Sequence, residues 1–564
     1  MRPLAELDVL VVDCQTTGAS PTFGVVLELA WGVARADRAA FAPESHLIAL
    51  PDGHVVPEQV VRMTGYDPAN SANAIVDRDA WRRLREATAN AASAPTAIHY
   101  ARFELAFLRD WAARFEPEIA FPLDAVCVHA LARRLYPDLP RQSLRALAGF
   151  LGHGLDLTRS SLGHVEATAF VWRKLCAELA ARQIETWEAL QAWLSARAAP
   201  ISRSKKPKYP IDKARYKTLP DEPGVYRFLR SNGDILYVGK ATSLRTRTAS
   251  HFSSRTSKQL QPEMLTQVSD IRVTVVASAL EAALLEHDTI TALRPPYNVQ
   301  LIPKDARIGY AARDFRSASE RADEAHPIGP LPSAYSLAVL GAQIELLSGA
   351  NPSPALRGTA VGVSDLWTPN EAVFAEGWGL YLARRSPLAH TTQSARQRVL
   401  ETAKELLLAR VLSKAGEEQP AEGEEKSSDW DPERVARHLE RAAAQAYQVY
   451  RRASWLRLLH DSDVVYREPE SERTRLLRVR NGELHDARDF ASSDFASSET
   501  PLDEPLRIRR APQMIAFDRV KYDRLRILAT ELKRIQRDGG HVAIYLGRRR
   551  PIPAALCSAI QRIV

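Results

Sequence analysis

Two short runs rich in β-branched and aromatic residues, GVYRFL and DILYVG, are joined by RSNGD at residues 230–234. Asn232-Gly233 tolerates φ > 0 at both central positions of a tight turn, so the segment predicts a β-hairpin. Tyr226 and Tyr237 then lie on adjacent strands and can face one side together. A helical run, SALEAALLEHDTITAL, follows and stops before Pro295-Pro296, because proline disfavours helical backbone in the residue ahead of it. Residues 220–303 therefore read as one small α/β domain.

The stretch before it alternates strand-like and helix-like patterns. DVLVVD (8–13), VVLELAWGVA (25–34), HLIAL (46–50) and TAIH (96–99) read as strands. Helical periodicity marks 101–115, 141–152 and 164–183. The chain of 564 residues thus divides into an α/β layer domain (1–198), a basic linker (199–219), the hairpin domain (220–303), a helical accessory region (304–413), an acidic linker (414–429) and a C-terminal accessory domain (430–564). Residues 430–564 include a basic amphipathic helix, DRVKYDRLRILATELKRIQ, and a strand-like HVAIYLG. The expected fold class is α/β multidomain with a mostly helical C-terminal region.

Lys and Arg exceed Asp and Glu by 76 − 68 = +8, a mild excess that permits a polyanionic partner without requiring one. Four scattered cysteines exclude a disulfide framework or a CxxC metal site and fit a reducing cytoplasm. Glu6 and Asp8 interrupt the N-terminal apolar run that a signal peptide needs, and no run is apolar enough to span a bilayer. A cytoplasmic protein without a membrane partner is expected.

GVY at 224–226, LYVGKATSLRTR at 236–247, LEAALLE at 280–286 and PPYNV at 295–299 resemble the GIY-YIG nuclease domain, in the form found in UvrC and Cho of nucleotide-excision repair. The resemblance implies an active site of Tyr226, Tyr237, Lys240, Arg247, Glu286 and Asn298. These residue types suit phosphodiester hydrolysis. One carboxylate, Glu286, can anchor a Mg²⁺ or Mn²⁺ ion that keeps most of its waters. Arg247 offers a planar fork for phosphate oxygens and Lys240 a point charge. Tyr226 is expected as general base, Tyr237 as phosphate orienter, and Asn298 as a positioning residue.

VVDCQTTGASP, VVPEQVVRMTG, AIHYARFELAFL and SSLGHVEATAFVW follow the motif order of the DEDDh 3′–5′ exonucleases, which implies an RNase H-like fold for residues 1–198. That family uses four carboxylates for two metal ions and a histidine base. Here the first motif reads Asp13-Cys14-Gln15, the second carries Glu104 and the third Glu166, with Ser161 at the histidine position. His164 stands three residues nearer to Glu166 and is expected to point elsewhere. Losing one carboxylate and the base implies a silent or very weak site, with Asp13 at most a weak metal ligand. The opposing reading is a repaired site with His164 as base and Gln15 orienting a metal.

The expected function is a DNA repair endonuclease that incises damaged or distorted DNA, working with damage-recognition proteins. The alternatives are a 3′–5′ exonuclease, a non-catalytic DNA-binding scaffold and a structured-RNA nuclease. The Arg-rich stretches 524–537 and 547–551 can hold DNA or be solvated faces, and core packing is the expectation for WTPNEAVFAEGWGLY (367–381).

Overall fold

A computed structural model of the chain describes residues 3–90, 95–154, 160–196, 208–253, 262–298, 307–363, 368–389, 392–413, 430–469, 471–490 and 515–545. Residues 199–207 of the basic linker, the acidic linker 414–429, Trp367 and the 547–551 stretch lie outside them. The chain forms two compact units. The first is 1–282 with 292–300; the second is 283–291 with 301–564.

In the first unit β1 (Val9–Thr16), β2 (Val26–Ala34), β3 (Glu44–Leu47), β4 (Thr96–Ile98) and β5 (Ala125–Cys127) form one sheet in the order β3-β2-β1-β4-β5. β1 runs antiparallel to β2 and parallel to β4. Its helices are α1 (Glu58–Thr64), α2 (Asp77–Asn90), α3 (Ala101–Phe115), α4 (Val128–Leu135), α5 (Leu144–Phe150), α6 (Ser161–Ala180) and α7 (Trp187–Ser195). Strand alternation sorts β1 into two faces. Val9 and Val11 pack with Leu131, Leu147 and Trp172 of α4, α5 and α6, while Leu10, Val12 and Cys14 pack with Trp81, Phe107 and Trp111 of α2 and α3. The result is three layers, helix on sheet on helix.

The helix expected from residue 164 begins earlier, at Ser161, because the Ser160 hydroxyl accepts from Gly163 N and caps it. β1 also runs three residues past its expected end, which carries Cys14 and Gln15 into the sheet.

The hairpin domain holds α8 (Lys213–Lys217), β6 (Gly224–Leu229), β7 (Ile235–Ala241), α9 (Leu244–His251), α10 (Pro262–Thr266), β8 (Asp270–Val275) and α11 (Ala279–Leu293). Its antiparallel sheet has the order β7-β6-β8. The hairpin forms as expected, but its turn differs. Gly233 alone takes φ +91°, and it closes the turn by donating to Arg230 O at 3.0 Å. Glycine thus occupies the last position of a turn centred on Ser231 and Asn232, followed by a register irregularity at Leu229.

This domain joins the layer domain through a buried polar network. Arg230, 5% exposed, donates through Nε and an Nη to Gln267 Oε1 (3.1 and 2.9 Å) and to His153 O (3.1 Å). Gln267 Nε2 donates to Glu263 O (3.1 Å) and Tyr297 Oη (2.7 Å); Tyr297 and Ser143 donate in turn to the Glu263 carboxylate, each at 3.0 Å. Gly149 of α5 lets Gln267 approach, since a Cβ there would collide with the Gln267 amide.

The second unit contains β9 (Gly309–Ala311), β10 (Ala318–Ser319) and β11 (Ile328–Leu331), then α12 (Ala338–Leu347), α13 (Pro354–Val361), α14 (Glu371–Arg384), α15 (Ser386–Ala389), α16 (Ala395–Ser413) and α17 (Pro432–Leu459). Strands β12 (Ser462–Arg467), β13 (Thr474–Arg480), β14 (Glu483–Phe490) and β15 (His541–Tyr545) form an antiparallel sheet in the order β14-β13-β12-β15, with α18 (Arg519–Arg537) between β14 and β15. Phe374 and Tyr381 of the 367–381 segment are buried in the core against α17, as core packing required.

Removing the Gln267 amide strands a buried guanidinium, which costs several kcal/mol. Gln267→Leu is expected to destabilise the chain by about 3 kcal/mol in urea unfolding, and adding Arg230→Met recovers part of that loss.

Candidate functional site

The hairpin register sets Tyr226 opposite Gly239 and Phe228 opposite Tyr237. Gly239 leaves room for the Tyr226 ring to cross the neighbouring strand: a Cβ at 239 would lie 2.5 Å from Tyr226 Oη and 2.9 Å from Tyr237 Cε1. The glycine and the phenol ring are one steric unit. The two phenol rings are 6.1 Å apart between centroids.

Tyr226 is 1% exposed, and its hydroxyl lies 2.7 Å from His251 Nε2. Burial, and then the Arg247 charge, hold the His251 ring at a pKa of about 4, so it is neutral near pH 7. Tyr237 is only half-buried. Of the two phenols Tyr237 is the more exposed. His251 escaped the sequence reading. It follows Arg247 by four residues on α9, the spacing that places two side chains on one helical face, and that was the available signal.

Arg247 is exposed on α9, which Ser243 caps by accepting from Thr246 N. Ser243 and Arg245 both donate to Asp221. Lys240 is exposed and pairs with Val225, so it belongs to the alternate set of hairpin side chains from Tyr226 and Tyr237. Asn298, 1% exposed, accepts from Val238 N at 2.8 Å and donates to Val238 O at 2.9 Å, bonding the β7 backbone as another strand would. The first unit thus brings Tyr226, Tyr237, His251 and Asn298 around β6 and β7, with Arg247 beside His251. Glu286 is half-buried on α11, in the stretch 283–291 that belongs to the second unit. Ser278 caps that helix by accepting from Glu281 N at 3.1 Å.

A second group of ionisable residues lies between the layer-domain sheet and α6. Asp13 is buried, and its Oδ1 lies 3.3 Å from His164 Nδ1. The expectation that His164 points away is therefore corrected. With the helix starting at Ser161, His164 falls in its first turn and faces the sheet, while Glu166, two residues on, is exposed. Gln15 pairs with Glu28 on β2, a carboxylate that the sequence reading passed over. A lone acid inside the apolar run VVLELAWGVA was the signal for it.

Glu28 Oε2 accepts from Ser161 N at 2.8 Å. Burial raises the Glu28 carboxyl, and that bond draws it partly back. Burial also pushes Glu104 well above the usual carboxylate range, with Asp13 and Cys127 adding to the shift. His164 is pulled down by burial, but the Asp13 hydrogen bond and the Asp13 and Glu28 charges outweigh it, and its pKa rises. Asp13 Oδ1 is met by the His164 imidazole and Glu28 by the α6 N-terminus, while among the described residues Asp13 Oδ2 and Glu104 Oε2 are buried without a hydrogen-bond partner. Among the described residues no group of three His, Cys, Asp or Glu side chains is arranged to hold a metal ion.

A family model for the UvrC-like GIY-YIG domain matches residues 222–299. The chain is 29% identical over 304 residues to a bifunctional exonuclease/endonuclease protein of Mycobacterium tuberculosis, covering 52% of this chain and 45% of that one. It is 50% identical over 94 residues to UvrABC system protein C of Alkalilimnicola ehrlichii, covering 16% of this chain and 15% of that protein. The solved GIY-YIG N-terminal endonuclease domain of UvrC from Thermotoga maritima, bound to magnesium as its catalytic divalent cation, shares 33% identity over 15% of this chain and 92% of that one, with a TM-score of 0.14. The chain spans less than half the length of these curated relatives. Residues 222–299 are a UvrC-like GIY-YIG nuclease domain. The 304-residue likeness reaches well beyond that domain and fits a fusion with a second domain.

A histidine whose folded pKa is depressed disfavours the native state wherever the unfolded chain binds a proton and the folded one does not. For His251 that window runs from pH 6.5 down to about 4, and for His99, which burial holds at about 3, it runs lower still. Stability is therefore expected to fall as pH drops through these windows, by at most about 1.4 kcal/mol per pH unit for each ring. His251→Gln should flatten the urea-unfolding profile between pH 6.5 and 4.

Proposed function

We propose that this chain is a DNA repair endonuclease that hydrolyses one phosphodiester bond next to damage or distortion, using the GIY-YIG domain. The observation that carries this reading is the Tyr226–His251 hydrogen bond beneath Gly239, with Tyr237 alongside, inside the stretch that the UvrC-like family model matches. Tyr237, the more accessible phenol, takes the proton of the attacking water. Its ionisation is eased by the positive charge of Arg247. Tyr226 acts as a positioning residue. At a pKa of about 4 the His251 ring is a poor proton sink for a phenol, so their contact orients the hydroxyl rather than ionising it.

Arg247 neutralises the phosphate oxygens as charge builds on them, Lys240 contacts a flanking phosphate, and Asn298 holds β7 in place. Glu286 is the carboxylate for a divalent cation. A lone carboxylate fits Mg²⁺ or Mn²⁺, which prefer oxygen ligands and retain most of their waters. When bound, such an ion supplies Lewis-acid polarisation of the phosphate and stabilises the leaving oxygen.

We further infer that residues 1–198 are an RNase H-like, DEDDh-type exonuclease domain that is weak or inactive and serves to hold DNA. The β3-β2-β1-β4-β5 sheet supports the fold. The loss of activity is supported by Gln15 in place of a carboxylate, by Glu166 facing solvent, and by Asp13 and Glu28 being engaged with His164 and Ser161. A reducing cytoplasm and damage-recognition partners complete the reading.

Nicking of supercoiled plasmid carrying bulky adducts tests it. Activity should require Mg²⁺ or Mn²⁺, fall about 100-fold or more in Glu286→Ala, Arg247→Ala and Tyr237→Phe, and fall only about 10-fold in Tyr226→Phe. Binding should survive in all four. Undiminished nicking by Glu286→Ala refutes the endonuclease assignment, and robust 3′–5′ digestion of single strands by the same variant refutes the weak-exonuclease assignment.

A further inference from the structure

The turn at residues 295–298 grips β7 on both sides of Tyr237. Asn298 N closes it by donating to Pro295 O at 3.0 Å. Tyr297 N donates to Leu236 O at 3.2 Å. The Asn298 side chain accepts from Val238 N at 2.8 Å and donates to Val238 O at 2.9 Å. The residues before and after Tyr237 are thus both tied to one turn, while the Tyr237 side chain stays half-buried. The turn is also stiff, because Pro295 and Pro296 each fix φ near about −65°.

The Tyr297 side chain reaches the other way, to the layer domain, and all of these residues lie in the first unit. The Arg145 guanidinium of α5 covers its ring, 4.7 Å from the ring centre. Its hydroxyl donates to Glu263 Oε1 at 3.0 Å and accepts from Gln267 Nε2 at 2.7 Å. Ser143, the N-cap of α5, donates to the second oxygen of Glu263 at 3.0 Å, and Arg145 Nε lies 3.8 Å from the first. Burial pushes the Tyr297 phenol up, so it keeps its proton and serves as a fixed donor rather than a base. A cation over the ring face and two hydrogen bonds at its far end leave the ring little freedom. One residue therefore carries a contact with the layer domain on its side chain and a contact with β7 on its backbone.

We propose that the layer domain is a positioning element for incision. Arg145 and Ser143 of α5 fix Tyr297, and the turn of Tyr297 and Asn298 holds Tyr237 where it meets the attacking water. The inference rests on the endonuclease reading above. It gives residues 1–198 a task that needs no exonuclease chemistry. Tyr297 and Arg145 act through Tyr237 as positioning residues. Displacing a reacting group by about 1 Å can cost about 100-fold in rate. Loss of one hydroxyl or one guanidinium loosens the turn without removing it, so a smaller effect is expected.

Plasmid nicking by the full chain, with kcat and KM for DNA measured separately, tests the proposal. Tyr297→Phe and Arg145→Ala should each lower kcat about tenfold and leave KM within about twofold. Neither should further slow a chain that already carries Tyr237→Phe, since a residue acting through Tyr237 then has nothing to act on. Hydrogen exchange of the β7 amides, measured in EDTA, should be several-fold faster in both variants than in the native chain. Unchanged kcat and unchanged exchange overturn the proposal. So do losses that multiply with that of Tyr237→Phe, which mark a general loss of structure, and a rise in KM alone, which marks a role in holding DNA. Faster exchange in a protein that never nicks keeps the link to β7 and refutes the endonuclease reading; nicking by the native chain with both variants unaffected does the reverse.

Discussion

The Gln267 side chain is the joint on which the first unit turns. Its carbonyl receives two bonds from a buried guanidinium, and its amide gives two more, so an expensive charge is taken out of water with its donors engaged. Gln267 follows α10 and precedes β8, which pairs with β6 and sets Val273 beside Tyr226. A contact between two domains thus reaches the hairpin within one strand. Tyr297 and Asn298 divide the PPYNV motif between these tasks, the phenol joining the interface and the amide holding β7.

Much of this architecture was legible from periodicity. The helix at 101–115, the strand at 25–34 and the hairpin at 224–241 came from patterns local enough to survive any tertiary context. Capping decided what the patterns missed. Ser160 starts α6 three residues before the apolar stripe begins, and that rotation brings His164 onto Asp13 and turns Glu166 outward. Residues whose role depends on a distant partner stayed hidden. Arg230 and Gln267 are 37 residues apart, and neither carries a local mark of its burial. His251 and Glu28 each had a weak mark, a helical spacing and a lone acid in an apolar strand, but their weight came only from neighbours brought in by the fold.

The two ionisable groups in the first unit show opposite uses of burial. Around Tyr226 burial keeps the histidine neutral, so that a phenol and an imidazole share a hydrogen bond without net charge. Around Asp13 burial raises the Glu28 and Glu104 carboxyls, while the Asp13 hydrogen bond and the Asp13 and Glu28 charges raise the His164 ring against its own burial. In the first arrangement the Arg247 charge adds to burial in holding the ring neutral.

The contacts between β1, β2 and α6 have a consequence for how the layer domain holds together. Two of the acids are held by groups of α6, Asp13 by the His164 imidazole and Glu28 by the amide of Ser161 in its first turn. The sheet and α6 are thereby braced to each other across β1 and β2, and the hairpin domain docks on a layer domain whose own helix is pinned in place.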